Sequence, residues 1–194
     1  MKGKKMIIDY NDRENAIAEV IVINKNGDAE YHGGEQVRSI SFKNFQKLQF
    51  ENVTIEDCRF DNCGEVSIYD GEVRGCNFCN VSAIEGHYAS FTDCIFSRCC
   101  SHGALLTIDS EGGVEGCSFE HITALSEDGY VIFSVYKSKN DVRDIERCSF
   151  VDCICENEEE ALALCSYFKP FSSFKTVDVD NMDYESCNIK NTSD

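Results

Sequence analysis

The chain has no tryptophan and a single proline, Pro170, in 194 residues. Without an indole it has no strong aromatic platform for stacking sugars. With one proline it does not have the composition of an extended linker. Positive charge is also scarce: 18 Lys and Arg stand against 35 Asp and Glu, for a net charge of −17. Such a surface repels nucleic acid and anionic membrane, and it attracts a strongly basic partner. No run of about 18 apolar residues occurs, so a membrane-spanning helix is not expected. The segment Met1 to Asp9 begins basic, but Asp9, Asn11, Asp12, Arg13 and Glu14 interrupt the apolar stretch that a secretory signal requires. The expected compartment is therefore the cytoplasm. No phosphate-binding loop, dinucleotide fingerprint or nucleophile elbow is present.

Cysteine, by contrast, is abundant, at 13 residues. The count is odd and no secretion signal accompanies it, so a disulfide framework is not the expected reading. The positions explain the cysteines better. Ile55-Glu-Asp-Cys58-Arg-Phe60-Asp-Asn-Cys63 is echoed by Val73–Val81 around Cys76 and Phe78, and by Phe91–Cys99 around Cys94 and Phe96. Val114–Ile122 around Cys117 and Phe119, Ile145–Cys153 around Cys148 and Phe150, and Tyr184–Thr192 around Cys187 and Ile189 follow. Cysteine and phenylalanine two residues apart share one face of a β-strand. The apolar residues three positions away on either side break the period of two, so the chain bends there. Short strands between bends, repeated every 18 to 39 residues, describe the coils of a solenoid, with the longer spacings holding loop insertions. A second strand type lies between the motifs: Glu65–Tyr69, Gly86–Phe91, Gly103–Ile108, Gly129–Val135 and Ala161–Cys165.

In stacked coils equivalent positions lie about 4.8 Å apart. Cys58, Cys76, Cys94, Cys117 and Cys148 should therefore form one internal ladder closed by Cys187. The five phenylalanines should form the next, ending at Ile189. Buried cysteine packs as a small hydrophobe, and reduced thiols are expected. No metal site is expected: Cys76 and Cys79 form a lone C-x-x-C pair on opposite faces of a strand, and the histidines are scattered. Asp57 and Asp93 share one repeat position, but Gly75 separates them and Gly116 follows. At about 9.6 Å apart they are marginal for glycoside hydrolysis. No catalytic residues and no cofactor are expected.

The segment Cys94-Ile-Phe96-Ser-Arg-Cys99-Cys-Ser-His-Gly103-Ala-Leu-Leu resembles a coil of the right-handed parallel β-helix superfamily, which includes pectate-lyase-like folds and polymorphic outer-membrane proteins. The resemblance spans residues 37–192 and implies fold rather than activity. A second resemblance covers residues 38–63. Ile40, Phe45, Phe50, Ile55 and Phe60 recur every five residues, as in pentapeptide-repeat proteins, whose β-helix is four-sided.

The expected fold is thus all-β: a right-handed parallel β-helix of about six coils over residues 37–194, with an N-terminal cap over residues 1–36. The cap reads as a hairpin returning through Asn26-Gly27, with a short helix near residues 11–23 as the alternative. Insertions are expected near 123–144 and 154–183. The second carries Glu156, Glu158, Glu159 and Glu160, then Tyr167, Phe168 and Phe171, which form the candidate partner-binding patch. The functional expectation is a non-catalytic, acidic protein that binds a basic partner protein, such as a nucleic-acid-binding enzyme. Resemblance to pentapeptide-repeat proteins that mimic DNA implies an inhibitor acting as a nucleic-acid mimic. The alternative is a carbohydrate-active or adhesin-type module.

Overall fold

The computed structural model describes residues 6–11, 21–23, 28–32, 36–109, 112–125, 129–135, 145–155, 165–168 and 183–185. They form four sheets. Every pairing is parallel except one, the hairpin of Ile21–Ile23 with Asp28–His32. In each coil the chain makes one strand in a first sheet, one in a second and one in a third, then begins the next coil. Six coils are complete, starting at Gln36, Thr54, Glu72, Ser90, Gly113 and Ile145. This is a parallel β-helix, and parallel crossovers are right-handed in about 98% of cases.

The register converts the repeat into ladders. In the first sheet Val37, Ile55, Val73, Phe91, Val114 and Ile145 stack. In the second sheet Phe42, Phe60, Phe78, Phe96, Phe119 and Phe150 stack. Their rings lie nearly parallel, with centroids 4.6–5.2 Å apart. In the third sheet Leu48, Val66, Ile84, Leu106 and Ile132 stack. All of these side chains are buried. A fourth, short sheet of Cys100–Ser101, Thr123–Ala124 and Ile154–Cys155 joins only the later coils. The early coils are therefore three-sided, with 18 residues from Phe42 to Phe60 and again to Phe78.

Three columns of left-handed residues turn the corners. Ser39, Asp57, Gly75, Asp93, Gly116 and Arg147 form the first, with φ between 52° and 63°. Asn44, Asn62, Asn80, Arg98, His121 and Asp152 form the second, and Asn52, Asp70 and Tyr88 the third. Asn, Asp and Gly tolerate this conformation best. In the second column Asn80 Nδ2 donates to Asn62 Oδ1 at 2.7 Å, and Asn44 Nδ2 donates to Asp9 Oδ1 at 2.8 Å.

Cysteine has a specific task at the first corner. The backbone N–H of Cys58 donates to Cys76 Sγ at 3.4 Å, and that of Cys94 to Cys117 Sγ at 3.4 Å. Each thiol in turn donates to the carbonyl two residues before it, at 3.3–3.5 Å for Cys58, Cys76, Cys94 and Cys117. A small apolar side chain that both donates and accepts satisfies a corner amide that a valine would leave bare. Cys63, Cys99 and Cys153 repeat the arrangement at the next corner, alternating with Val81 and Ile122.

Several sequence expectations need correction. One coil precedes the first cysteine motif: it begins at Gln36, and Ile40 occupies the place taken by cysteine in later coils. At the other end, Tyr184 pairs with Phe150 in the second sheet, not with Ile145 in the first. The expected motif at Tyr184–Thr192 is therefore shifted by one side of the coil. The cause is that the two inward residues lie five apart in the motif, so a five-residue slip matches apolar to apolar. Cys187 and Ile189 lie outside the described residues. The strand near Gly86 runs Ala83–His87 and stops at the Tyr88 corner, so Gly86 is inside it rather than opening it. The last strand of the third sheet is Cys165–Phe168, after the expected Ala161–Cys165. In the N-terminal segment Met6–Asp9 pairs with Ile40–Lys43, and Asp28–His32 pairs with Lys47–Glu51, so both strands extend the sheets. Residues 12–20, where the helical alternative falls, lie outside the described residues.

Candidate functional site

Outward-facing side chains distinguish the three sides. On the first sheet, charges are paired. Arg38 Nε lies 3.4 Å from Glu56 and 3.5 Å from Asp57, Arg74 Nη2 lies 2.6 Å from Glu72, and Arg147 contacts Glu115. The second sheet is mixed, since Glu120 accepts from Ser118 Oγ at 3.0 Å while Asp61 is paired. Arg59 Nε donates to both oxygens of Asp61 at 2.7 Å, Lys43 approaches the same carboxylate at 3.9 Å, and Arg98 Nη2 donates to Cys79 Sγ at 3.1 Å.

The third sheet differs. Its outward columns run Asp28, Lys47, Glu65, Ala83; then Gln49, Ser67, Glu85, Thr107, Phe133; then Glu51, Tyr69, His87. Lys47 is the one lysine or arginine among the described residues of this sheet. It hydrogen-bonds Glu65, which holds that carboxyl below its ordinary range and raises the lysine in return. Ser67 Oγ, completely covered, donates to Glu65 at 3.0 Å and lies 3.5 Å from Glu85. The Tyr69 and His87 rings stack with centroids 4.7 Å apart and planes 9° apart. His87 Nε2 is 3.8 Å from Glu85, and Nδ1 is 3.6 Å from Asp109. The adjoining corner adds Asp70 and Tyr88. The latter is 45% exposed, and its N–H donates to Asp109 Oδ1 at 2.7 Å. Glu51, Glu65, Asp70, Glu85 and Asp109 thus gather on one side, around an aromatic column, and among the described residues of the sheet Lys47 alone carries opposite fixed charge.

The side chains of the candidate partner-binding patch lie outside the described set. Glu156, Glu158, Glu159, Glu160 and Phe171 lie outside the described residues. Tyr167 and Phe168 belong to the Cys165–Phe168 strand, the last of this same third sheet, and their side chains lie outside the described set. The acidic run precedes that strand in sequence. Asp57 and Asp93, the marginal carboxylate pair, are corner residues. Their Oδ1 atoms lean over Gly75 and Gly116 of the following coils, where an added β-carbon would come within 3.1 and 2.6 Å. Their residue types are explained by the turn. Among the described residues no group of three or more His, Cys, Asp or Glu side chains is arranged to hold a metal ion. Cys76 faces the core and Cys79 the outside, at 7% exposure. The third-sheet site was missed because its residues differ from coil to coil. The one available signal was the placement of Glu65, Tyr69 and His87 at outward positions of the intervening strands.

The fold and this site define a parallel β-helix with one acidic outer side. No family model matches the chain, and no curated protein matches it. Among solved structures, a trypsin-treated variant of QnrB1, titled a plasmid-mediated fluoroquinolone resistance protein, matches at 9% identity. That match covers 97% of this chain and 92% of that one, with a TM-score of 0.22. So low a score does not establish a shared fold. The architecture stated above rests on this chain's own strand pairing.

Proposed function

We propose that the protein is a non-catalytic binding protein whose third outer side docks against a basic surface of a partner protein. The observation that carries this reading is the uneven charge distribution. On the first and second sides Glu56, Asp61, Glu72 and Glu115 are each matched by an arginine, whereas on the third side Glu51, Glu65, Asp70, Glu85 and Asp109 gather where Lys47 is the one lysine or arginine among the described residues of the sheet. Parallel strands hold these groups in fixed register, so little ordering entropy is lost on binding. A rigid rod with carboxylates along one side suits a groove that otherwise receives the phosphates of nucleic acid, which makes an inhibitor acting by nucleic-acid mimicry the specific form of the proposal. The acidic run Glu156, Glu158, Glu159 and Glu160, with Tyr167, Phe168 and Phe171, is a further candidate for partner contact, because in sequence it surrounds the last strand of this same sheet, Cys165–Phe168. A cytoplasmic setting accords with the many reduced thiols.

The test uses the whole protein immobilised at about 0.1 M salt, with release near 0.5 M, where exposed charge pairing is screened. A retained protein is then purified and measured against the variant Glu51→Gln/Asp70→Asn/Glu85→Gln. Weaker binding of the variant, and competition by duplex DNA, are expected. Unchanged binding by the variant would overturn the assignment of the site.

One arrangement favours a second reading as a carbohydrate-active module. The stacked Tyr69 and His87 lie beside Glu85 and Asp109 on one open strand surface, where a sugar ring and two carboxyl groups could meet. Binding on a glycan array that is lost in Glu85→Gln would support it, and an array without signal would remove it.

A further inference from the structure

We infer that the third outer side selects arginine over lysine in the partner that it binds. The inference rests on the docking reading above and specifies the chemistry of the occupant: a protein segment that presents arginine side chains.

Charge alone does not distinguish the two cations. The distinction comes from the planar groups set among the carboxylates. Glu51 and Tyr69 occupy adjacent rungs of one outward column, and Tyr69 stacks on His87 in the next. The ring face of Tyr69 directed away from His87 therefore looks toward the coil that carries Glu51. A guanidinium is planar and weakly hydrated. It lies flat on a tyrosine ring while its edge forms two parallel hydrogen bonds to a carboxylate. An ammonium is a compact, strongly hydrated charge without that edge.

The corner repeats the combination. Asn52, Asp70 and Tyr88 occupy equivalent left-handed positions, so the exposed Tyr88 ring stands one coil beyond the exposed Asp70 carboxylate. The turn itself does not call for tyrosine. At φ 53° an aromatic residue is an uncommon choice, and the two preceding coils use Asn52 and Asp70 there. The Tyr88 N–H donates to Asp109 Oδ1 at 2.7 Å, which ties this corner to the acidic side. Two tyrosines, each one rung from an acidic residue, make a surface with affinity for stacked guanidinium groups as well as for positive charge.

Fluorescein-labelled hexa-arginine and hexa-lysine peptides, equal in charge, are titrated with the full chain at about 0.1 M salt and followed by anisotropy. The arginine peptide is expected to bind about three- to tenfold tighter. Tyr69→Val with Tyr88→Asn should bring the two affinities together by weakening the arginine peptide alone. Both substitutions suit their backbone, and circular dichroism with thermal melting confirms that the fold persists. Tyr88→Asn alone, which restores the residue type of Asn52, should remove part of the preference. Equal affinities for the unaltered protein would overturn the arginine preference while leaving the acidic docking side intact. A preference that survives both tyrosine substitutions would also overturn it. Absence of binding by either peptide would overturn the docking reading together with this one.

Discussion

The interior of the solenoid and its third outer side follow opposite rules. Inside, one residue type recurs along two ladders, phenylalanine from Phe42 to Phe150 and cysteine from Cys58 to Cys148, and the remaining ladders are mostly Val, Ile or Leu, with Phe91 and Gly86 as exceptions. Outside, along the same strands, successive rungs read Glu51, Tyr69, His87, or Gln49, Ser67, Glu85, Thr107. A ladder repeats because each side chain packs on its own equivalent one coil away, so a substitution disturbs two neighbours. An outward side chain bears no such constraint. Its identity is left to be set by what the surface meets. Stability and recognition are therefore carried by separate residues of the same strands, and substitutions should separate them.

The largest break should come from the phenylalanine ladder. Phe96 is fully buried between Phe78 and Phe119, with ring centroids 5.0 and 4.6 Å away. Phe96→Ala should cost about 3–5 kcal/mol, because the stacked neighbours cannot close the gap. Urea unfolding checks the loss. Affinity for a basic ligand, measured where the variant remains folded, should not change. A parallel fall in affinity would show that interior and outer side are not independent.

Alkaline pH should strike the interior through the cysteines. Burial pushes the Cys63 and Cys99 thiols up to about 11 and Cys148 up to about 12, from an ordinary 9.0. Cys58 and Cys94 are raised as well, by hydrogen bonding to the next ladder thiol and by burial. The folded state thus favours the neutral thiol. Its contribution is fully present below pH 9 and is lost as the pH rises from 9 toward 12, where the unfolded chain ionises first. A shift of two units corresponds to roughly 2–3 kcal/mol per thiol at most. Unfolding midpoints measured under reducing conditions should fall steeply above pH 9, whereas the exposed Cys100 should alkylate at neutral pH without unfolding. A flat profile to pH 11 would mean that the ladder thiols are less sequestered than their burial indicates.

A smaller effect tests how strictly the ladders are coupled. Gly86 sits where Phe50, Ile68 and Ile108 stand on other rungs. An added β-carbon there would come within 2.8 Å of Phe91 Cε2. Phe91 in turn occupies a rung held by Val or Ile in every other coil. The large ring fills the space that the glycine leaves. Gly86→Ile should destabilise by about 1–3 kcal/mol through overpacking. Adding Phe91→Val, which recreates the Ile68 and Val73 pair of the previous coil, should recover most of that loss. Thermal melts of the single and double variants give the coupling directly. Additive losses would refute the exchange of volume between the two rungs.

These same features explain what the sequence made legible. The Cys and Phe spacing of two, flanked by apolar residues three away, specified short strands with bends between them, and the sheets confirm it. Asn26-Gly27 likewise marked the hairpin of Ile21–Ile23 with Asp28–His32. Register was harder at the ends. Ile40 substitutes for cysteine in the first coil, and Tyr184 fits either of two sheets because the motif is apolar at both of its five-residue steps. Gly86 misled in another way, since a glycine inside a strand resembles a glycine before one when its partner, Phe91, belongs to a different sheet. The acidic side was not legible from charge counts. Separating paired from gathered carboxylates requires knowing that Glu56, Glu72 and Glu115 share a side with Arg38, Arg74 and Arg147, whereas Glu51 and Glu85 share one with Lys47 as the one lysine or arginine among the sheet's described residues.

The smallest effect on stability belongs to Lys47, and it sharpens the contrast most. Its ion pair with Glu65 is half exposed, with side-chain exposures of 42% and 35%, so water screens it and it contributes under about 1 kcal/mol. The carboxyl of Glu65 is lowered by this lysine. The pair therefore stabilises the fold above the ordinary carboxylate range near 4.5, and that contribution is lost as the pH falls through and below it. Lys47→Met should leave the melting temperature at pH 7 within a few degrees of the parent and flatten this weak acid dependence. Its effect on binding should run the other way. Removing the one lysine among the described residues of the third sheet exposes Glu65 to the partner, so affinity for a basic peptide should rise, and more so at low salt. A variant that is slightly less stable but binds more tightly is the outcome that a separation of interior from outer side requires. A gain in affinity of the same size from Arg74→Met, on the paired first side, would show instead that net charge alone governs binding.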